Sequence, residues 1–93
     1  MMKTDVVIIG AGAVGCAIAR ELSKYQIQVM VVDKNEDVGG YASKSNSAII
    51  HTGYDASPGT LESQLVVAAN PMYPELVKEL DVPFKQIGAI LPA

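Results

Sequence analysis

Gly10-Ala11-Gly12-Ala13-Val14-Gly15 restricts what this chain can fold into more than any other segment. A G-x-G-x-x-G alone carries little weight, and its neighbours decide whether it means anything. Upstream, Val6-Val7-Ile8-Ile9 is β-branched throughout, so Asp5 to Ile9 reads as a short buried strand that stops at Gly10. Downstream, Val14, Ala17, Ile18, Leu22 and Tyr25 recur on one helical face between Ala13 and Tyr25, with Arg20, Ser23 and Lys24 off it. Ile27 to Val32 is a second apolar run, closed by Asp33. Two continuous apolar strands joined by an amphipathic helix predict a βαβ unit with parallel strands, a right-handed crossover and both sheet faces covered.

In that setting each glycine has a task. Gly10 permits the tight turn, Gly12 lets the backbone approach a diphosphate with no Cβ in the way, and Gly15 lets the helix lie close on the strand. An anion would then meet free N–H groups and the positive end of the helix. Asp33 stands eighteen residues after Gly15, at the tip of the second strand. A carboxylate there can accept from both hydroxyls of an adenosine ribose and would repel a 2′-phosphate, which disfavours NADP. The plainer reading is a glycine turn that only packs helix on strand. The agreement of strand, glycines, helix, second strand and acid argues against it. The expected fold class is α/β, a partial, truncated Rossmann-like FAD- or NAD(P)-binding domain on a parallel sheet.

Composition narrows the partners. A chain of 93 residues that is 49% apolar, with net charge −3, is neither disordered nor basic enough to favour nucleic acid or an anionic membrane surface. No nucleic-acid partner is therefore expected. Cys16 is the single cysteine, so no intrachain disulfide can form; a small buried apolar role is expected for it, as for Met30 and Met72. Val6 to Ala19 has the apolar length of a secretory signal core, but Asp5 offsets Lys3 and three glycines interrupt the run. No metal-ligand set is read from the sequence.

From Asp33 to Gly59 the chain is rich in Gly, Ser, Asn, Lys and Asp, a long loop of the kind usually kept for function. Thr60 to Leu80 turns helical, with Leu61, Leu65, Ala68 and Ala69 on one side. Pro71 and Pro74 predict a kink or two short helices. After Pro83, Phe84 to Leu91 reads as a further strand, and residues 84–93 as the start of a substrate-domain sheet.

The run Asp33-Lys34, four residues, Gly39-Gly40 resembles FAD-dependent oxidoreductases that carry an acid-Lys-x4-Gly-Gly stretch after the second strand. That resemblance, not the glycine spacing, selects FAD. The next segment, Ser43-Lys44-Ser45-Asn46-Ser47-Ala48-Ile49-Ile50-His51-Thr52-Gly53-Tyr54-Asp55, resembles the Asn-Ser-x-Ile-Ile-His-x-Gly segment of the glycerol-3-phosphate dehydrogenase and L-2-hydroxyglutarate oxidase branch of the D-amino-acid-oxidase superfamily. Pro58-Gly59-Thr60-Leu61 and Glu79 to Gly88 look most like the bacterial glycerol-3-phosphate dehydrogenase side. The pattern usually has Gly where Ala48 stands and often a small residue where Tyr41 stands.

The resemblance implies that Gly10, Gly12, Ala13, Val14, Gly15, Asp33, Lys34, Gly39, Gly40, Ser45, Asn46 and Ser47 contact FAD, and that His51 sits near the isoalloxazine as the catalytic candidate. A histidine there can donate to a flavin carbonyl or a reduced, anionic flavin. Read from the residues alone, the favoured role for His51 is to cap its own loop's backbone, and only the resemblance reverses that order. The function implied is the N-terminal, FAD-binding portion of an enzyme oxidising a secondary alcohol, glycerol 3-phosphate or a 2-hydroxy acid. The alternatives are a dinucleotide-binding module completed by a partner chain and an inactive fragment. Alone, the chain is not expected to turn over glycerol 3-phosphate, and self-association or a partner chain is expected. A cytoplasmic setting is expected, with peripheral membrane attachment open for the full-length family.

Overall fold

The computed structural model describes residues 3–90, which divide into two compact units, one running to Ala48 and the other from Ile49. In the first, strand β1 (Val6–Ile9) leads through the glycine loop into helix α1 (Ala13–Leu22) and then strand β2 (Val29–Val32). The strands pair in parallel with Val6 opposite Val29 and Ile9 opposite Val32. Side-chain bonds fix the register at its open end. The Asp5 carboxylate accepts from the Gln28 N–H at 2.7 Å, and the Thr4 hydroxyl donates to the Gln28 carbonyl at 2.8 Å. At the other end the Gly10 N–H continues the ladder to the Val32 carbonyl at 2.7 Å.

Only one sheet face is covered within this unit. Ile8 is buried beneath α1, whereas Val7 and Ile9 alternate to the other side and Ile9 is 87% exposed. The expectation of two covered faces is corrected here, because α1 is the one α-helix among the described residues of this unit and reaches one side only.

The rotation of α1 also differs from its apolar stripe. The partly buried positions are Gly15, Ala19, Arg20 and Leu22, the first, second and fourth of them at i, i+4 and i+7, while Val14, Ile18 and Cys16 are exposed. The cause is steric. A Cβ on Gly15 would overlap the Gly10 carbonyl oxygen and lie 3.4 Å from Ile8 Cγ2, so the helix rests on the strand through its glycine. Cys16, one step around, falls on the flank instead of in the core. The helix ends at Leu22, short of Tyr25: the Lys24 and Tyr25 N–H groups bond three residues back, to the Glu21 and Leu22 carbonyls, so the four-residue helical ladder stops there. Met30 is partly buried, as expected.

In the second unit, α2 (Leu61–Ala69) passes through a single 3₁₀ turn (Asn70–Met72) into α3 (Tyr73–Glu79). The two short helices expected around the prolines are thus present. Thr60 caps α2, its Oγ1 accepting from the Ser63 N–H at 3.2 Å and donating to the Ser57 carbonyl at 2.6 Å. Pro71 and Pro74 lie in first turns, where a missing N–H costs no hydrogen bond. The end of α3 is a Schellman arrangement with Asp81 at φ 54° in place of the usual glycine. The Val82 N–H reaches the Val77 carbonyl at 2.9 Å, and the Asp81 N–H that of Lys78 at 3.3 Å.

On α2 and the following turn the partly buried side chains are Ser63, Val66, Ala69, Asn70 and Tyr73, whereas Leu61, Leu65 and Met72 are exposed. Packing of the preceding loop against this face sets the rotation, so Met72 is not core filler. Residues 84–90 form no strand, which corrects that expectation; a strand needs a neighbour to bond with, and none runs beside this segment among the described residues of its unit. Leu91 and the rest of the expected 84–93 sheet segment lie outside the described residues. No helix among the described residues is long and apolar enough to cross a membrane.

Candidate functional site

The glycine loop turns at Gly10, whose φ of 113° is open to glycine and strained for any other residue. At Gly12 φ is −81°, so the backbone does not demand glycine there. A Cβ on Gly12 would instead stand 2.9 Å from the Ser43 hydroxyl, in the space above the helix start. That hydroxyl accepts from the Ala13 N–H at 2.7 Å, the position an anionic oxygen takes at a helix N-terminus. The N–H groups of Val14 and Gly15 have no acceptor among the described residues. Gly10, Gly12, Ala13, Val14, Gly15, Ile18 and Ser43 line a recess of about 300 Å³ here, at the small end of ligand pockets. It has room for a diphosphate and not for a whole dinucleotide.

Asp33 ties the loop to the end of β2. One carboxylate oxygen accepts from the Ala11 N–H at 2.8 Å and the other from the Asn35 N–H at 2.7 Å. These two backbone bonds, Ala11 first, hold its pKa below the ordinary value of 3.8. Each oxygen keeps a second lone pair, so the group can still accept from two hydroxyls. The first role of Asp33 in this structure is to brace the glycine loop.

Of the remaining expected site residues, Gly39 joins the loop directly, its N–H donating to the Ala11 carbonyl at 2.8 Å with φ at 65°. Gly40 is exposed, and a Cβ there would meet only ordinary contacts at 3.5 Å and beyond. The Lys34 ammonium lies 5.0 Å from the centre of the Tyr41 ring, a cation–π contact. Ser45 follows a short 3₁₀ turn (Ala42–Lys44). Asn46 braces the loop, its amide donating to the Ser43 carbonyl at 2.6 Å and its Oδ1 accepting from the Ala48 N–H at 2.8 Å. Ser47 is exposed. Ala48, where the resembling sequences have glycine, sits at φ 57°.

His51 belongs to the second unit. Its Nδ1 lies 2.9 Å from the Asp55 carboxylate, and its backbone carbonyl accepts from the Asn70 side chain at 3.0 Å. The two residues share a cavity of about 280 Å³ with Ile50, Glu62, Val66 and Tyr73. Ser43 and Asp55 bound the segment that carries the resemblance, but sequence reasoning gave neither a role. The meeting of His51 and Asp55 depends on a non-helical turn and that of Ser43 with Ala13 on loop closure, so neither contact has a local periodicity to read.

A profile of the family described as FAD dependent oxidoreductase matches residues 5–93. The chain belongs to that family. Its relatives include the glycerol 3-phosphate dehydrogenase of Caloramator mitchellensis, 56% identical over 89 residues, which are 96% of this chain and 18% of that protein. The mitochondrial L-2-hydroxyglutarate dehydrogenase of Caenorhabditis elegans is 37% identical over 98% of this chain and 22% of its own length. The glycerol 3-phosphate oxidase of Mycoplasma genitalium is 34% identical over the whole chain and 24% of its own length. The chain thus spans about a fifth of the relatives it matches. The parallel β1–α1–β2 unit is what a partial Rossmann-like FAD-binding domain of this family contributes.

The first unit fits such a cofactor on its own geometry. Gly12 keeps a Cβ out of the recess, Val14 and Gly15 carry uncommitted donors, and the Asp33 carboxylate stands beside the loop with lone pairs to spare.

Proposed function

We propose that this chain is the FAD-binding portion of a flavin-dependent enzyme that oxidises a secondary alcohol, with glycerol 3-phosphate as the substrate. The observation that carries the reading is the helix start. The Ala13 amide bonds to an oxygen that can be exchanged for a phosphate oxygen, and the adjoining amides have no partner among the described residues. A bound FAD would supply the two-electron acceptor for the alcohol's hydride. The names of the dehydrogenase and oxidase relatives support glycerol 3-phosphate over 2-hydroxyglutarate, the former relative being the more similar.

The chain's own residues bind and orient. The first turn of α1 holds the diphosphate at Ala13, Val14 and Gly15 through N–H donation. Asp33 keeps the loop in shape and accepts from the ribose hydroxyls. Gly39 fixes the second approach of the backbone through its bond to Ala11. Ser45, Asn46 and Ser47 line the path of the cofactor, and His51 supplies the proton-transfer group at the reacting end. A dinucleotide module completed by a partner chain is the second reading, favoured by the exposed apolar positions Ile9 and Val14.

Calorimetric titration of the chain with FAD, NAD and NADP tests the proposal. FAD is expected to bind more tightly than NADP, and Gly12→Val to weaken it. Preference for NADP, or an affinity unchanged by Gly12→Val, refutes the assignment of this loop as the site.

A further inference from the structure

The contact between His51 and Asp55 decides more than the position of a ring. An ionised carboxylate only accepts hydrogen bonds, so at 2.9 Å the Nδ1 atom of His51 must carry the proton. In water a neutral imidazole favours the opposite tautomer, with the proton on Nε2. We infer that Asp55 is the positioning residue of His51: it inverts the ring's ordinary tautomer, so that Nε2 is left with its lone pair as the proton-accepting edge. The inference rests on the reading of His51 as the proton-transfer group of an alcohol oxidation.

The local fold is built to hold this pair. His51 and Asp55 are four residues apart but not on a helix, so their meeting is set by the turn between them. Gly53 sits at φ 108° and presses so close to α2 that a Cβ there would stand 2.8 Å from Val67 Cγ2. Ala56 is buried, and its N–H closes the turn onto the Gly53 carbonyl at 3.3 Å. The backbone of His51 is pinned from the other side by Asn70. The turn therefore presents Asp55 to a ring whose main chain is already fixed.

Glu62 and Tyr73 are the other titratable groups lining the same cavity, and neither is bonded to the ring. The His51 and Asp55 side chains are about half exposed, at 54% and 44%. An ion pair so exposed adds little to folding. Tautomer choice is a different matter, because only the small preference between two neutral forms of one ring has to be overturned.

The chemical consequence concerns proton flow. A secondary alcohol becomes a ketone when its O–H and C–H bonds break and the C=O bond forms. A bound FAD would be the acceptor of the hydride and its electron pair, and the hydroxyl proton needs a base. A ring held as Nδ1–H offers Nε2 for that proton, with the Nδ1 proton still bonded to the Asp55 carboxylate.

His51 is the only histidine of the chain, so a single ¹⁵N-histidine label reports it without assignment. Two-dimensional ¹H–¹⁵N correlation through the ring carbons, at ~pH 9 where an ordinary imidazole of pKa ~6.5 is neutral, distinguishes the two nitrogens. The wild-type chain is expected to show a protonated Nδ1 and an unprotonated Nε2. In Asp55→Ala the ratio inverts to a predominant Nε2–H form, while Glu62→Ala keeps the wild-type pattern. A wild-type ring found mainly as Nε2–H overturns the inference without recourse to any variant. So does an unchanged ratio in Asp55→Ala, or an inversion caused by Glu62→Ala alone. The measurement uses flavin-free chain, so its failure is separate from a failure to bind FAD.

Discussion

Three glycines in one loop, replaced one at a time by alanine, should give three different stabilities. Gly15→Ala meets backbone: its Cβ would overlap the Gly10 carbonyl oxygen, stand 3.0 Å from that carbonyl carbon and 3.4 Å from Ile8 Cγ2. Neither the turn nor the strand can step aside like a flexible side chain, so α1 must lift by on the order of an ångström from a close-packed contact. Overpacking costs about 1–3 kcal/mol and more where backbone is involved, against a helix-propensity gain of about 1 kcal/mol. The lift also stretches the Ala11–Asp33 and Gly39–Ala11 bonds, each 2.8 Å. A net loss of about 2–4 kcal/mol is expected.

Gly10→Ala has nothing within 4 Å of its Cβ but keeps φ near 113°. Its cost is backbone strain of about 1–3 kcal/mol, less an unfolded-state gain of about 0.4–1 kcal/mol. Gly12→Ala meets only the tip of Ser43 at 2.9 Å and adopts an ordinary φ, so it should be within about 0.5 kcal/mol of wild type. Urea unfolding followed by far-ultraviolet circular dichroism ranks the three. A Gly15→Ala chain as stable as wild type, or a Gly12→Ala chain as damaged as Gly15→Ala, would refute the idea that helix–strand contact at Gly15 sets the geometry of this unit.

Further outcomes can be measured. Ala48→Gly should raise stability by about 0.5–1 kcal/mol in the same melt, since φ 57° costs alanine about 1–2 kcal/mol and glycine's unfolded-state entropy returns part of it; a lower midpoint would contradict this. Asp33 has a folded pKa below 3.8, so it favours the folded state above that value, and the contribution is lost as the pH falls through the folded pKa. Asp33→Asn should therefore flatten the stability profile in this acid range, and an unaltered profile would remove Asp33 from its bracing role. With Ile9 at 87% and Val14 at 75% exposure, sedimentation velocity should show association that grows with concentration, and a concentration-independent monomer would count against it.

What the sequence disclosed and what it hid divide along physical lines. The strand, glycine loop, helix and second strand were legible because their signals are local: β-branched runs, a turn that needs glycine, helical spacing. The split between α2 and α3 was legible from Pro71 and Pro74 for the same reason. Helix rotation was not. The stripe through Val14, Ile18 and Tyr25 looked like the buried face, yet one steric contact at Gly15 outweighs it, and such a contact has no periodicity to read. At the site, the glycines and Asp33 were found by their spacing, but the use of both Asp33 oxygens by Ala11 and Asn35 depends on loop closure in space. Ser43 reaches the helix start from thirty residues away and leaves no mark in the pattern around Gly12.

The exposed position of Cys16 has a practical corollary. A chain with a single accessible thiol is monofunctional toward oxidants: once two chains are joined through sulfur, neither has a second sulfur to extend the linkage. On a non-reducing gel the covalent product must stop at two chains, and any higher band that survives there reports some other chemistry. The same thiol lies one residue past Gly15, with its Sγ 3.5 Å from the Ala11 carbonyl, so a maleimide dye attached to it would report from the loop itself. Its labelling rate, slowed or not by added nucleotide, would follow occupancy of the loop without any need for catalytic turnover.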